Sequence, residues 1–243
     1  MASAAPPIAR PPGRWLKFLL ALCLLPAAGG LVWALWDITV AWLPGEGWRS
    51  PWALAFAGGF ALWVLVYVFL PRPMWLYVFG HEFTHALAII LSRGRVKGFH
   101  VSSRGGHVAT DTVNWYIALS PYFVPLYTLI WMALWMITSF WWREINQYET
   151  VLFFGIGLTL GFHITFTIGM IHREQSDLIG QGWLFSFVVI VGINVLILLL
   201  LTIPIAENIT WRDGALTVGE RIRESYEGIW WLAEEGWRRL RPA

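Results

Sequence analysis

The sequence predicts an all-α integral membrane protein: about six transmembrane helices, a short membrane-associated β-hairpin after the third, and a C-terminal amphipathic helix. Three observations predict it. Of 243 residues 57% are hydrophobic and 13% charged, against about a quarter charged in a soluble domain, and the mean hydropathy is +0.58. The apolar residues gather in runs of bilayer-crossing length, bounded by Pro, Gly and charge. Many of the 18 Trp flank those runs, among them Trp15, Trp36, Trp42, Trp75, Trp115, Trp141, Trp142 and Trp183, as aromatic belts at two membrane–water interfaces would.

Each element follows in order. Residues 1–14 are Pro- and Ala-rich and read as a disordered tail. The first span, about 15–43, is interrupted only by Asp37, which reads as a helix–loop boundary; the run outlasts a signal-peptide h-region, so a retained helix is expected. The loop Pro44–Pro51 leads to a second span, about 52–70, in which Gly58 and Gly59 favour close helix packing. Pro71-Arg72-Pro73 then delivers the third, 74–91, whose 18 residues reach about 27 Å, barely enough to cross. Residues 92–114 differ in kind: short alternating runs around Val96, Phe99, Val101, Val108 and Thr110, separated by Gly105-Gly106, predict a β-hairpin. Three more spans follow, at about 115–142, 151–171 and 183–205, the fifth carrying a second packing signal at Gly155 and Gly157. Residues 15–205 thus form one polytopic domain. In the tail, 206–243, Ile222, Tyr226, Ile229, Trp230, Ala233, Trp237 and Leu240 repeat at helical spacing opposite Arg221, Arg223, Glu227, Glu234 and Arg238. That helix is expected on the membrane surface, on the protein's own loops, or on a second copy.

Composition also excludes. A formal net charge of +2 makes no case for nucleic acid. The single Cys23 rules out an intrachain disulfide and a cysteine metal site. Orientation stays open: a cytoplasmic N-terminus puts Arg10, Arg14, Lys17, Arg72 and Arg143 inside but Arg93, Arg95, Lys97 and Arg104 outside.

Within the third span the chain reads His81-Glu82-Phe83-Thr84-His85. HExxH on a helix sets two imidazoles on one face, where they can bind zinc, with Glu82 as general base for a water activated by the metal. Three ionisable side chains inside a membrane segment mark a functional site by default. Two histidines leave a tetrahedral zinc short of one protein ligand. His100 and His107 lie in the hairpin. The other candidates cluster at the end of the fifth span: His163, then His172, Glu174 and Asp177.

His81-Glu82-Phe83-Thr84-His85-Ala86-Leu87 in an apolar helix resembles the site-2-protease-like intramembrane zinc metallopeptidases. The hairpin-like segment after it, the Ser120-Pro121-Tyr122-Phe123-Val124-Pro125 stretch and a late Asp are similar to that family too, over roughly residues 74–190. The resemblance implies an Asp as third zinc ligand, usually in Leu-Asp-Gly. The matching position is Asp177, although Ser176 precedes it and Leu178 follows it. Depth speaks against Asp177, which lies beyond the fifth span, whereas His163 sits level with the HExxH pair and is the alternative ligand. Asn194, alone in the sixth span, orients substrate or a water, or makes an interhelical hydrogen bond; His172 and Glu174 read as interfacial.

The expected chemistry is peptide hydrolysis in or near a transmembrane segment of a membrane-protein substrate, with Zn²⁺ as cofactor. The hairpin offers an edge to which an unwound substrate strand could add. Other readings are a metal-bearing binding module without proteolysis and a transporter with buried His and Glu. A multi-pass protein of the cell membrane is expected, with the bilayer and a peptide or membrane protein as partners. Its short loops hold no recognition domain, so any adaptor is expected to be a separate chain; a homo-oligomer is the other partner expected.

Overall fold

The structure is a computed structural model, described for residues 13–42, 49–171, 176–205 and 209–240. The helices are α1 (Arg14–Trp42), α2 (Pro51–Phe69), α3 (Met74–Leu91), α4 (Trp115–Phe123), α5 (Leu126–Trp141), α6 (Glu149–Ile171), α7 (Ser176–Gln181), α8 (Trp183–Ile205) and α9 (Trp211–Leu240). A hairpin of β1 (Val96–Ser102) and β2 (Gly105–Thr110) joins α3 to α4, and a 3-10 turn, Arg143–Tyr148, precedes α6. Most of the N-terminal tail, most of the loop before α2, and His172 and Glu174 lie outside the described residues.

Five helical stretches are long and apolar enough to cross a membrane: Arg14–Ala41, Pro51–Phe69, Met74–Leu91, Arg143–Ile171 and Trp183–Ile205. Large apolar side chains face outward across these helices and α5, as they would not in a soluble protein. Leu65, Phe69, Leu134, Ile137 and Phe140 face outward, while Glu82, Thr84, Ser120, His163 and Ser186 are buried. Lipid as solvent demands this distribution, and the chain is a membrane protein.

Local chemistry explains the element ends. Ser50 caps α2, accepting from the Ala53 amide at 3.2 Å, with Pro51 at the first helical position. At the C-terminus of α3 the Arg93 amide donates to Ile90 and the Gly94 amide to Ile89. With Arg93 at φ 60° this is a Schellman closure. It turns the chain into the hairpin. Thr210 and Asp213 cap α9 reciprocally: the Thr210 hydroxyl accepts from the Asp213 amide at 3.2 Å, and the carboxylate accepts from the Thr210 amide at 3.2 Å.

Three expectations change. The stretch 115–142 is not one straight helix: it breaks at Val124-Pro125, and its halves are bent by 70°. Pro125 has no N–H to donate and pushes Val124 into extended backbone, at φ −92° and ψ 108°. In the hairpin the turn falls at Ser103-Arg104, and Gly105 and Gly106 open β2 instead of forming the turn. Asp37 is no boundary residue. It sits inside α1, where the Arg221 guanidinium of α9 pairs with it and also lies over the Trp33 ring. The Tyr226 hydroxyl donates to the Cys23 carbonyl at 2.6 Å, so α9 runs back antiparallel along α1.

Two features position the centre of the molecule. Helices α2 and α6 touch backbone to backbone: a Cβ on Gly59 would lie 2.0 Å from the Phe154 carbonyl oxygen, and one on Gly157 2.0 Å from that of Phe56. This is the small-residue contact expected of Gly59 and Gly157. Gly58, by contrast, faces open space, and Gly155 packs on the Trp131 indole. An aromatic core then joins α2, α4, α6, α7 and α8 through Trp63, Tyr122, Phe162, Phe166, Leu178 and Phe185. Tyr77 of α3 stacks on Phe166 at 4.6 Å, laying the HExxH helix against this core.

Candidate metal centre

On α3, His81 and His85 are one helical turn apart and stand edge to face, with ring centroids 4.8 Å apart. The His85 Nδ1 faces the Ile117 carbonyl of α4 at 2.7 Å, and that carbonyl can only accept, so Nδ1 carries the proton and Nε2 keeps its lone pair. The His81 Nδ1 meets the Tyr77 hydroxyl at 3.2 Å. A partner on the far nitrogen of each ring is the usual way to orient an imidazole for metal binding.

Asp177 completes the cluster. Its Oδ2 lies 3.6 Å from Nε2 of His81 and 3.6 Å from Nε2 of His85. The three ligand atoms lie within 4.8 Å of one another. Zinc with ligands at about 2.1 Å spaces them roughly 3.4 Å apart in a tetrahedron, so the donor set fits.

The depth objection to Asp177 fails because α7 packs against α4 and α8 and sets its carboxylate beside both imidazoles. The short α7 folds back beneath α4 and α8 and carries the carboxylate inward. Leu178, 3% exposed, wedges into the aromatic core, and its carbonyl accepts from the Ser186 hydroxyl at 3.1 Å. At the other end of α7 the Lys17 ammonium donates to Gln181 at 2.5 Å. Gly182, at φ 95°, makes the turn into α8.

His163 is not part of the cluster. Its Nε2 faces the Asn194 Oδ1 at 3.2 Å. The Asn194 amide nitrogen is already committed to the carbonyls of Tyr122 and Ile190, at 2.9 and 2.8 Å. The amide oxygen therefore faces His163, which must donate from Nε2 and cannot ligate through it. Of the two roles weighed for Asn194, the interhelical hydrogen bond is the one observed. His100 and His107 pair across the hairpin with rings 5.5 Å apart and are exposed; neither joins the ligand cluster, although His107 lines the cavity beside it.

Glu82 is 7% exposed and sits beneath β2. A Cβ on Gly106 would lie 2.6 Å from the Glu82 Cγ, so only glycine lets the strand come this close. Two cavities meet here, sharing His81, Glu82 and Gly106. One, about 300 Å³, runs past His85, Val108, Val113 and Ile117; the other, about 270 Å³, past Met74, Tyr77, Arg104 and Met170. Sequence reasoning missed Gly106 as a contact of Glu82, as well as Ile117 and Tyr122 as partners of the His81–His85–Asp177 cluster. Only Tyr122 carried a hint, from its place between two prolines.

Fold and site together define a helical membrane protein with a partly buried His–His–carboxylate cluster able to hold a metal ion. No protein-family model, no curated protein and no solved structure matches the chain.

Proposed function

We propose that this protein is a zinc-dependent endopeptidase of the site-2-protease-like kind, cutting a peptide bond in or beside a transmembrane segment of a membrane-protein substrate. One observation carries the reading: a carboxylate from α7 converges on both HExxH imidazoles, with Glu82 beside them at the meeting of two cavities. His₂-carboxylate with one position left over is the donor set of catalytic rather than structural zinc. Zinc held by His81, His85 and Asp177 would acidify a water and polarise the scissile carbonyl.

The chain's own groups supply the rest. Glu82 takes the proton of the attacking water on its carboxylate and returns it to the leaving amine. Its burial under β2 keeps bulk water from competing for that proton. A helical substrate hides its carbonyls in its own hydrogen bonds, so it must extend before cleavage. An extended segment laid along β2 would cross from the Met74–Met170 cavity to the Val113–Ile117 cavity, passing His81 and Glu82 on the way. Counting α4 and α5 as one bent span gives six spans. The bend then lies beside the centre, where irregular backbone inside a membrane is tolerated because it faces protein or a wet cavity.

The test uses the full chain in detergent micelles and a quenched-fluorescent peptide with an apolar, helix-breaking segment. One zinc per chain is expected in the wild type and in Glu82→Gln, and none in His85→Ala. Glu82→Gln should cut about 100- to 10,000-fold more slowly. Cleavage by Glu82→Gln at the wild-type rate would sink the assignment. Zinc binding with no cleavage of any membrane peptide would make the protein a binding module, and no zinc at all would revive the transporter reading.

A further inference from the structure

Tyr122 has no part in the reaction just described, yet it is almost fully buried, 1% exposed, against the metal cluster. Its hydroxyl donates to Asp177 Oδ2 at 3.3 Å, the same oxygen that faces both imidazoles. Its ring stands edge-on to His81 with centroids 5.3 Å apart. Tyr122 lines neither of the two cavities beside Glu82, so its hydroxyl is placed for Asp177 and not for a substrate carbonyl. What the hydroxyl can do is fix the rotation of the Asp177 carboxylate.

The ring in turn is fixed from its backbone side. In an unbroken helix the Tyr122 carbonyl would accept from the Leu126 amide. At the break that amide turns instead to Val124, at 2.8 Å, and leaves the Tyr122 carbonyl free inside a membrane protein. An unpaired buried carbonyl is costly there. Asn194 of α8 supplies the missing donor at 2.9 Å. The same amide is held in its flip state by His163. One chain of contacts thus runs from α6 through α8 and α4 to the carboxylate on α7.

We propose that Tyr122 and Asn194 are positioning residues of the His81–His85–Asp177 centre: Tyr122 orients the carboxylate, and Asn194 holds Tyr122 by pairing the carbonyl that the helix break frees. This rests on the reading of that centre as a metal site. Loss of such an outer contact weakens metal binding by about 10- to 100-fold.

The experiment is competition for zinc between a fluorescent chelator and the full chain in micelles, for wild type, Tyr122→Phe, Asn194→Leu, the double variant and His85→Ala. Tyr122→Phe should bind zinc about 10- to 100-fold more weakly than wild type. It should also shift the visible absorption of the cobalt-loaded protein, because ligand geometry changes. Asn194→Leu should weaken binding in the same direction. Because it acts through Tyr122, the double variant should fall within about twofold of Tyr122→Phe alone.

An affinity for Tyr122→Phe within twofold of wild type, with an unchanged cobalt spectrum, overturns the proposal. So does a double variant whose loss is the product of the two single losses. If Asn194→Leu does not fold, the affinity and spectrum of Tyr122→Phe decide alone. If wild type and His85→Ala bind zinc equally poorly, the metal reading itself falls and the positioning role with it. That outcome is distinct from tight wild-type binding left untouched by Tyr122→Phe.

Discussion

At Gly106 one methyl group separates a strand that covers Glu82, the proposed base, from one that cannot. Because a Cβ there would press on both the Glu82 Cγ and the His100 carbonyl at 2.6 Å, Gly106→Ala must lift β2 or displace Glu82. His81, His85 and Asp177 keep their own anchors, the Tyr77 hydroxyl, the Ile117 carbonyl and the Tyr122 hydroxyl. The expected outcome is retained zinc with cleavage slowed about 100-fold, the usual cost of an ångström-scale misplacement. A metal-to-protein ratio and a cleavage rate on the same preparation check it. A variant that lost both together would tie Gly106 to folding instead. His163 carries a different lesson: a buried histidine level with the ligands was an attractive third ligand, and an amide on the neighbouring helix consumes the nitrogen it would need.

Among the elements, the α2–α6 pair is the frame against which the site helix rests. Gly59 and Gly157 let the two backbones touch, and the reciprocal contact leaves no side chain able to retreat. Adding one in a tightly packed interface costs about 1–3 kcal/mol even when side chains can adjust. Here the obstacle is backbone carbonyl, so Gly157→Leu should exceed the upper end of that range. Gly58→Leu, which meets open space, should be near neutral. Thermal unfolding in micelles of the metal-free proteins separates the two; equal melting points would show that the close approach contributes little. The break between α4 and α5 works the other way. It gives up regular hydrogen bonds, and in exchange brings the Ile117 carbonyl to His85 and the Tyr122 hydroxyl to Asp177 from a single short helix.

Across the whole molecule, three separate elements supply the first contacts of the centre: α3 the imidazoles and the Tyr77 hydroxyl, α7 the carboxylate, and α4 the Ile117 carbonyl and the Tyr122 hydroxyl. A metal that bridges α3 and α7 therefore binds the folded chain and not the unfolded one. Zinc at about 100 times its dissociation constant should stabilise the fold by about 2.7 kcal/mol. Chelation should lower the wild-type unfolding midpoint and leave that of His85→Ala where it already stands; an identical drop in both would mean the chelator acts elsewhere. Acidification should mimic chelation, since an imidazole must be neutral to ligate. The α1–α9 pair packs on α8, and α1 reaches this assembly through Ala21 in the central core and through the Lys17–Gln181 bond at the end of α7. The ion pair of Asp37 with Arg221 explains how a lone acid persists in an otherwise apolar first helix.

The sequence by itself determined the apolar helices and most of their limits, because hydrocarbon demands long apolar runs and each run ends where charge, Pro or Gly begins. It also determined the imidazole pair with Glu82, since a four-residue spacing on a helix is a local property. Tertiary structure decided everything that depends on contacts between distant segments. Asp177 rather than His163 joins the imidazoles because α7 folds back, a path that hydropathy cannot register. The straight fourth span became a bent pair, since Pro125 withholds one N–H and only packing from α8 makes that loss affordable. Gly105 and Gly106 moved from turn to strand because β2 must pass over Glu82. Asp37 found Arg221 far along the chain. Periodicity and composition report what each segment buries, and they carry no term for which segment it is buried against.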